Sequence, residues 1–361
     1  MSIQILTYND IHAEHWQALI KSSPTATWFQ TLEAYRFYAS LPEEILPFVI
    51  GVSEDDCLKG VVVGYITQEK NTIKQFLTRR AIIIGGPLLA SDICDEALAK
   101  LLNAVLQFKV ESLKFKGKGN SKAVTIANCQ LPIANSLHTT PIYIETRNFN
   151  DYSRWKSVFE TNGFAYQPHL NFHVDTTSVD RVESQLGKNR KRDIKTSIRD
   201  GATIVEKPTI EQVRAYYELL KQLYTTKIKT PLFSLQFFEH LYNHPNGRFI
   251  LVEREGEIIG GTVCVELKGR CLYEWFVCGR DGEWKSIFPS SLATYAGIRY
   301  ASEHGCARFD MMGAGKPDEA YGVRDFKARF GGEQVEHGRF LCVRKPLLYA
   351  IGKLGVKILK R

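Results

Sequence analysis

Residue types suited to chemistry crowd one stretch near the C-terminal end, Arg308-Phe-Asp-Met-Met-Gly-Ala-Gly-Lys-Pro-Asp-Glu-Ala-Tyr-Gly-Val-Arg-Asp-Phe-Lys-Ala-Arg-Phe-Gly-Gly332. It starts as a short apolar run, Phe309 to Met312, and breaks at Gly313 and Gly315. Seven ionisable residues follow between Lys316 and Arg329, interleaved with Tyr321, Phe326 and Phe330. Glycines let backbone approach closely, and aromatic rings beside them shape pockets; loops of this kind are where function concentrates. A helix connection with solvated charges is the alternative. A second stretch, Leu186-Gly-Lys-Asn-Arg-Lys-Arg-Asp-Ile-Lys-Thr-Ser-Ile-Arg-Asp-Gly201, reads as a basic helix closed by Gly201. Ile194 and Ile198 mark its packed face, leaving Lys188, Arg190, Lys191, Arg192, Lys195 and Arg199 to crowd the remainder. Those cations suit phosphate oxygens, Arg as a fork and Lys as a point charge, unless the helix is merely solvated.

At 361 residues the chain can bury a substantial core and form two domains. It is 44% hydrophobic and 24% charged, as globular proteins are. No apolar run approaches the length of a membrane span. The start, Met1-Ser-Ile-Gln-Ile-Leu-Thr-Tyr8, lacks the pattern of a signal peptide. Eight cysteines are dispersed without a C-x-x-C pair, as expected of reduced thiols in a cytosolic protein with no zinc site or disulfide frame. The net charge of +8 favours an anionic partner.

The elements that must position these stretches come in a repeated order. Helices over 12–22 and 31–40 lead to a hairpin, 48–52 and 60–66, around Ser53-Glu-Asp-Asp56. A strand over 81–89, a helix over 95–110, a loop over 116–122 and a strand over 123–128 follow. The second half repeats this with helices 215–224 and 235–242, strands 249–253, 258–265 and 271–278, a helix from Pro289 closed by Gly305, and a strand over 307–312. Gly60 matches Gly260 and Phe48 matches Phe249, an offset of roughly 200 residues that is too long for a solenoid. The pattern is two copies of one mixed α/β unit, with the cleft between them as the expected site. The tail from Lys345 is amphipathic: Leu347, Leu348, Ile351, Leu354, Ile358 and Leu359 lie on one side, and Lys353, Lys357 and Lys360 on the other. Such a helix packs on its own protein or lies on an anionic membrane.

The duplicated unit, the basic helix and the closing Phe326-Lys-Ala-Arg-Phe-Gly-Gly332 together resemble the Fem-type (FemAB-like) peptidyltransferases and their GNAT-related acyltransferase relatives. Further matches are Trp28-Phe-Gln-Thr31, Gly86-Pro87, Lys188-Asn-Arg-Lys-Arg192 and Asp310-Met-Met-Gly-Ala-Gly-Lys-Pro317. The resemblance runs to about residue 343, and the order and spacing of its motifs carry it. It implies an α/β fold with mixed sheets, as two tandem GNAT-like domains over 1–150 and 151–343, followed by a basic amphipathic tail over 344–361.

It further implies an enzyme that forms an amide by moving an aminoacyl or acyl group to an amine of a cell-envelope precursor, as in peptidoglycan or polysaccharide biosynthesis. No cofactor is bound permanently on this reading; the co-substrate is aminoacyl-tRNA or acyl-CoA. The setting is cytoplasmic, with peripheral contact to an anionic membrane through 345–361 and tRNA as a further partner. By resemblance Lys327 lies near the reacting centre, where a fixed cation would stabilise the oxyanion. Asp310 and Asp325 are the candidates to deprotonate or orient the amine. Trp28, Gln30, Tyr273, Trp275, Lys316, Tyr321, Arg324, Arg190 and Arg192 are the candidate substrate contacts. Tyr273 and Trp275 alternate with Glu274 and Phe276, so the two pairs are expected on opposite sides of their strand.

One departure bears on the donor. Acyl-CoA-using relatives carry a Q/R-x-x-G-x-G/A loop whose amides hold pyrophosphate at a helix N-terminus. Here the junction reads Cys278-Gly-Arg-Asp-Gly-Glu-Trp-Lys-Ser-Ile-Phe-Pro289 and lacks that spacing, which favours aminoacyl-tRNA. No metal is expected: His240 and His244 lack a third ligand, and His169 and His173 have only same-side spacing in a strand-like segment. Gly313-Ala-Gly-Lys316 is not a complete phosphate loop. Two other functions compete, an acyl-CoA-dependent N-acetyltransferase acting on a small-molecule or sugar amine, and a non-catalytic basic protein that binds an anionic lipid, polymer or RNA.

Overall fold

The computed structural model of the chain describes residues 2–68, 77–108 and 140–359, with side chains to residue 355 in the last helix. The chain divides into two compact units, one built from Met1–Gln167 with Gly338–Arg361 and the other from Pro168–His337. The expected loop over 116–122, the strand over 123–128 and Cys129 lie outside the described residues.

Unit 1 opens with β1 (Ile3–Thr7), α1 (Ala13–Ser22) and α2 (Leu32–Ala39). Thr31 caps α2 by accepting the Ala34 amide, which sets its start. The hairpin of β2 (Ile45–Glu54) and β3 (Cys57–Thr67) turns at Asp55 and Asp56, both at positive φ, a turn whose twist matches its strands. The expected strand over 81–89 is two pieces, β4 (Ala81–Gly85) and β5 (Leu88–Leu89), because Gly85 and Gly86 take positive φ before Pro87. α3 (Asp95–Gln107) follows, then β6 (Tyr143–Asn148), α4 (Lys156–Thr161) and β7 (Ala165–Gln167).

Unit 2 holds β8 (Leu170–Asp175), α5 (Val179–Gln185), α6 (Lys188–Arg199) and β9 (Thr203–Val205). α7 (Ile210–Leu223) starts five residues before the expected 215, because Thr209 and Gln212 form a capping box. Next come α8 (Leu235–Tyr242), β10 (Gly247–Arg254), β11 (Glu257–Leu267), β12 (Cys271–Gly279) and α9 (Pro289–Glu303). β13 (Arg308–Asp310), α10 (Gly322–Ala328) and β14 (Glu333–Glu336) complete it. The chain then returns to unit 1 as β15 (Arg339–Val343) and α11 (Pro346–Leu359).

Among the described residues the strand order is β1-β2-β3-β4-β6-β15-β7 in one sheet and β14-β8-β13-β12-β11-β10-β9 in the other. Reversed, the second order repeats the first, with β8 standing where β15 stands. The duplication extends to register. Val52 pairs Gly60 in unit 1 and Val252 pairs Gly260 in unit 2, and a bulge follows each pair. The expected boundary at residue 150 is therefore corrected to Gln167/Pro168, because β7 pairs β15 within the first sheet and draws residues 151–167 into unit 1. The boundary at 343 moves to His337/Gly338 for the same reason.

The core of unit 2 gathers Phe172 and Val174 of β8, Leu272 of β12, Phe309 of β13 and Leu292, Ala293 and Ile298 of α9. Burying the larger of these side chains contributes roughly 1.5–3 kcal/mol each and fixes the strands from which the polar residues below project.

Candidate active site

The site forms where two neighbouring strands of unit 2 part. β12 and β13 run parallel for three residue pairs, ending at Tyr273 and Asp310. Beyond Asp310 the chain stays with β8: Met311 N donates to Phe172 O and Ala314 N to Leu170 O. Met312 and Gly313, both at positive φ, are the extra residues between those bonds. They form a bulge-like kink that turns the chain away from β12. Gly313, at φ +110°, occupies backbone that a side chain would strain, which explains the glycine in the Met-Met-Gly-Ala-Gly run.

Polar side chains hold this kink. Asp310 Oδ1 accepts from Met312 N at 2.7 Å and from Asn171 Nδ2 at 2.8 Å. Asn171 Oδ1 accepts from Gly313 N at 2.7 Å. His173, the cross-strand neighbour of Asp310, brings Nε2 to 3.0 Å from Asp310 Oδ2, at ion-pair distance. From α10, Lys327 Nζ donates to Met311 O and, at 2.8 Å, to Gly313 O. Two of its three N–H groups are thus engaged on either side of the kink.

The charges here are buried and differ in state. Burial lowers the Lys327 ammonium below the ordinary lysine value, while Glu274 and Asp310 pull it upward. Burial raises Glu274 above the usual carboxylate range, and Lys327, Thr294 and Thr262 only partly offset it. Thr294 Oγ1 donates to Glu274 Oε1 at 2.8 Å and Thr262 Oγ1 at 3.3 Å, whereas Oε2 is buried with no donor among the described residues. Burial also pushes Asp310 up, but His173, Arg308 and Asn171 outweigh it and hold the carboxyl below its usual range. A buried ammonium between a carboxyl biased toward its neutral form and one held ionised is an arrangement that active sites use.

Of the candidates read from the sequence, Lys327 and Asp310 meet here, with Tyr273 fully buried beside Asp310 as its neighbour on β12. Asp325 does not: it points outward from α10. Trp28 and Gln30 belong to the core of unit 1. The Gln30 amide is already engaged there, with Nε2 donating to Gly85 O and Gly86 O and Oε1 accepting from Thr27 N. Trp275 departs from the expected alternation. Cys264 pairs Glu274 and Val263 pairs Phe276, so Trp275 is the extra residue of a bulge. Its ring and that of Phe276 both pack on Phe237 of α8.

Arg190 is buried between the rings of Phe326 and Phe330, 4.7 and 4.5 Å from their centroids, and donates to Ser291 Oγ and Phe326 O. It is a staple between α6, α9 and α10, which corrects the phosphate-contact expectation. The buried face of α6 is accordingly Arg190, Asp193, Ile194 and Ser197, and Ile198 is exposed. Arg192 is exposed and paired with Asp193. Lys316 is exposed and pairs with Glu319 at 2.6 Å. Tyr321 is exposed, and Arg324 donates to the carbonyls of Ala314, Lys316, Pro317 and Glu319, tying the loop to α10. Gly331 is required by close approach, since a Cβ there would sit 1.8 Å from Gln185 O.

Glu274, Asn171 and His173 are the site residues the sequence reading passed over. A glutamate inside the apolar strand Cys271–Gly279 was the available signal, because burying a carboxylate is costly without a use or a partner. Among the described residues no group of three or more His, Cys, Asp or Glu is placed to hold a metal ion.

The N-terminus of α9 differs from an open anion site. Pro289 occupies the first turn and supplies no N–H, and Asp281 Oδ1 accepts from Ser290 N at 3.2 Å. One of the amides that an anion at this helix end would use is therefore already taken by a carboxylate of the protein itself.

Residues 188–327, all within unit 2, match the family model described as Acetyltransferase (GNAT) domain. No curated protein matches the chain significantly. Among solved structures, FemX superposes with a TM-score of 0.66 at 14% identity, covering 97% of this chain and 99% of its own. A tandem GNAT protein from the clavulanic acid biosynthesis pathway gives 0.54 at 9% identity, covering 94% of this chain and 98% of its own. L-PGS from Bacillus licheniformis gives 0.51 at 12% identity, covering 96% of both chains. Residues 188–327 thus match a GNAT acetyltransferase domain, and the chain as a whole shares its fold with FemX and with the tandem GNAT protein.

Proposed function

We propose that unit 2 transfers an aminoacyl or acyl group from an activated ester or thioester to an amine, forming an amide. The observation that carries this reading is the buried Lys327 ammonium held on the carbonyls of Met311 and Gly313 at the parting of β12 and β13, within the electrostatic reach of Glu274 and Asp310. As the C–N bond forms, the amine passes its proton to Glu274, whose raised pKa makes it a competent base nearer neutral pH than an ordinary carboxylate. The carbonyl oxygen gains negative charge, which the third N–H of Lys327 stabilises without reorganisation. Collapse breaks the C–O or C–S bond, and the leaving alkoxide or thiolate takes up the proton. Asp310, Asn171 and His173 hold the kink on which Lys327 rests and act as positioning residues.

An aminoacyl ester of tRNA is the favoured donor, because Asp281 and Pro289 already occupy the first turn of α9. The resemblance to Fem-type peptidyltransferases favours an amine of a cell-envelope precursor as acceptor, met on the cytoplasmic side. A second reading rests on the two carbonyls that Lys327 already engages: the residue would then be a clamp on the kink, with no part in the chemistry.

Radiolabelled aminoacyl-tRNA and acetyl-CoA, each offered with envelope-precursor amines, test the function directly. Transfer from aminoacyl-tRNA is expected, and binding without turnover from either donor would make the protein a non-catalytic binder. Lys327→Met separates the two roles of the lysine. A variant that melts like the parent yet transfers nothing supports catalysis, and one that keeps full turnover leaves only the clamp.

A further inference from the structure

The last helix carries a feature that acyl transfer does not use. Leu347, Ile351 and Leu354, spaced four and three residues apart, form one stripe and are 81%, 62% and 61% exposed. The other side of α11 is tied to unit 1. The Tyr349 ring meets Tyr143 edge-on at 5.4 Å, and the backbone amides of Arg344 and Lys345 both donate to Ile142 O. The stripe is therefore presented outward by an anchored helix, and large apolar side chains so grouped on a surface mark an interaction site.

Charge names the partner. Residues 344–361 contain six Lys or Arg and no Asp or Glu. Lys353 lies on the flank of the helix, its Nζ 5.5 Å from the Tyr349 ring centroid, and Arg79 adds a further cation close to Lys345. A second copy of this chain docked stripe to stripe would bring two wholly cationic segments together, which like-charge repulsion opposes. A surface that takes up apolar side chains and is negatively charged has neither difficulty. Gly352 and Gly355 make α11 a poor helix by itself, so an apolar medium along the stripe would also stabilise it.

We propose that α11 is an interfacial helix that seats the protein on an anionic lipid surface, with Leu347, Ile351 and Leu354 entering the acyl boundary and the lysines meeting the headgroup phosphates. Such a helix lies in the interface plane and does not cross the membrane. Among the described residues no helix is long and apolar enough to cross one.

Sedimentation of the full chain with vesicles of phosphatidylcholine, alone or mixed with phosphatidylglycerol, tests this. Binding is expected only to the mixed vesicles and is expected to weaken as salt rises. Ile351→Glu with Leu354→Glu should lower affinity at least about tenfold, as should Lys353→Glu with Lys357→Glu, each by roughly that factor. Melting temperatures should stay at the parent value; if the stripe variant unfolds early, the lysine variant decides. Equal binding to both vesicle types, no binding to either, or full binding by the lysine variant would overturn the proposal. So would a dimer, seen by light scattering, that the stripe variant splits into monomers, since the occupant would then be a second copy.

Discussion

The two units share a strand order but treat the same strand pair differently. In unit 1, β4 and β6 stay paired for five residues, from Ala81/Ile144 to Gly85/Asn148. Beyond them the backbone carbonyls of Gly85 and Gly86 are taken up by neutral groups, the Gln30 amide and the Tyr152 hydroxyl. A buried carboxylate of β6, Glu145, is engaged by Arg147 at 2.8 Å and Arg339 at 3.0 Å. In unit 2 the corresponding pair closes for only three residues, and the kink at Met312–Gly313 opens the strands over Lys327. The buried carboxylate Glu274 of β12 keeps one oxygen without a donor among the described residues. At this strand pair unit 1 engages its buried carboxylate Glu145 with two arginines, whereas unit 2 sets Glu274 beside threonine hydroxyls alone. Duplication thus preserved a scaffold in both halves and left acyl-transfer chemistry, on our reading, to one.

That contrast can be broken by substitution. The largest effect should come from Lys327→Met, with transfer falling by roughly two to three orders of magnitude while circular dichroism keeps the parental signature. Glu274→Gln should cost about a hundredfold in the rate of transfer and remove the acid limb of the pH profile. Its stability effect should run opposite to that of Glu145→Gln. Burial raises Glu274 above its unfolded value, so its ionised form is a cost that grows as pH rises through that range, and the Gln variant should melt no lower than the parent at neutral pH.

Burial also raises Glu145, but Arg147 and Arg339 outweigh it and bring the carboxyl to about 2. Its contribution is therefore present above the unfolded carboxylate range and lost as pH falls toward the folded value. Glu145→Gln should cost at most about 3 kcal/mol at neutral pH and converge on the parent in acid, with transfer per folded molecule unchanged. Thermal melts across that pH range would read both. Gln30→Leu should destabilise by roughly 2 kcal/mol without changing transfer, because the bonds of its amide, to backbone and to the Tyr152 hydroxyl, all lie within unit 1. Asp325→Ala should have the smallest effect, within about 0.5 kcal/mol and without a change in rate, since the side chain is exposed. A large kinetic effect at Gln30 or Asp325 would undo the division of labour.

Much of this was legible before any fold was known. The offset matching Gly60 to Gly260 located the duplication, because hairpins with alternating apolar residues and tight turns leave periodic marks in sequence. Helix limits set by Thr31, Pro289 and Gly305 were equally local. Dense glycines and charges marked the stretch that holds Lys327 and Asp310, but Lys327 was singled out within it by the family resemblance, and Asp310 stood level with Asp325. Short strands such as β9 and β14 were not specified, because their pairing lies in distant parts of the chain. Arg190 misled for the same reason. A cation in a basic run looks solvent-facing until Phe326 and Phe330 close around it.

The sequence by itself determined two copies of a mixed α/β unit, a glycine-rich charged segment after the last strand of the second copy, and a cationic amphipathic end. These are short-range properties: periodicity, turn chemistry and composition. Only the tertiary structure decided which charges meet. Asn171 and His173 come from a strand more than a hundred residues before Asp310, and Glu274 from the strand beside it. Whether a carboxyl is raised or held ionised depends on the groups that share its low-dielectric surroundings, and those are brought together by folding. The exchange of β15 for β8 between the sheets was likewise decided only by long-range pairing.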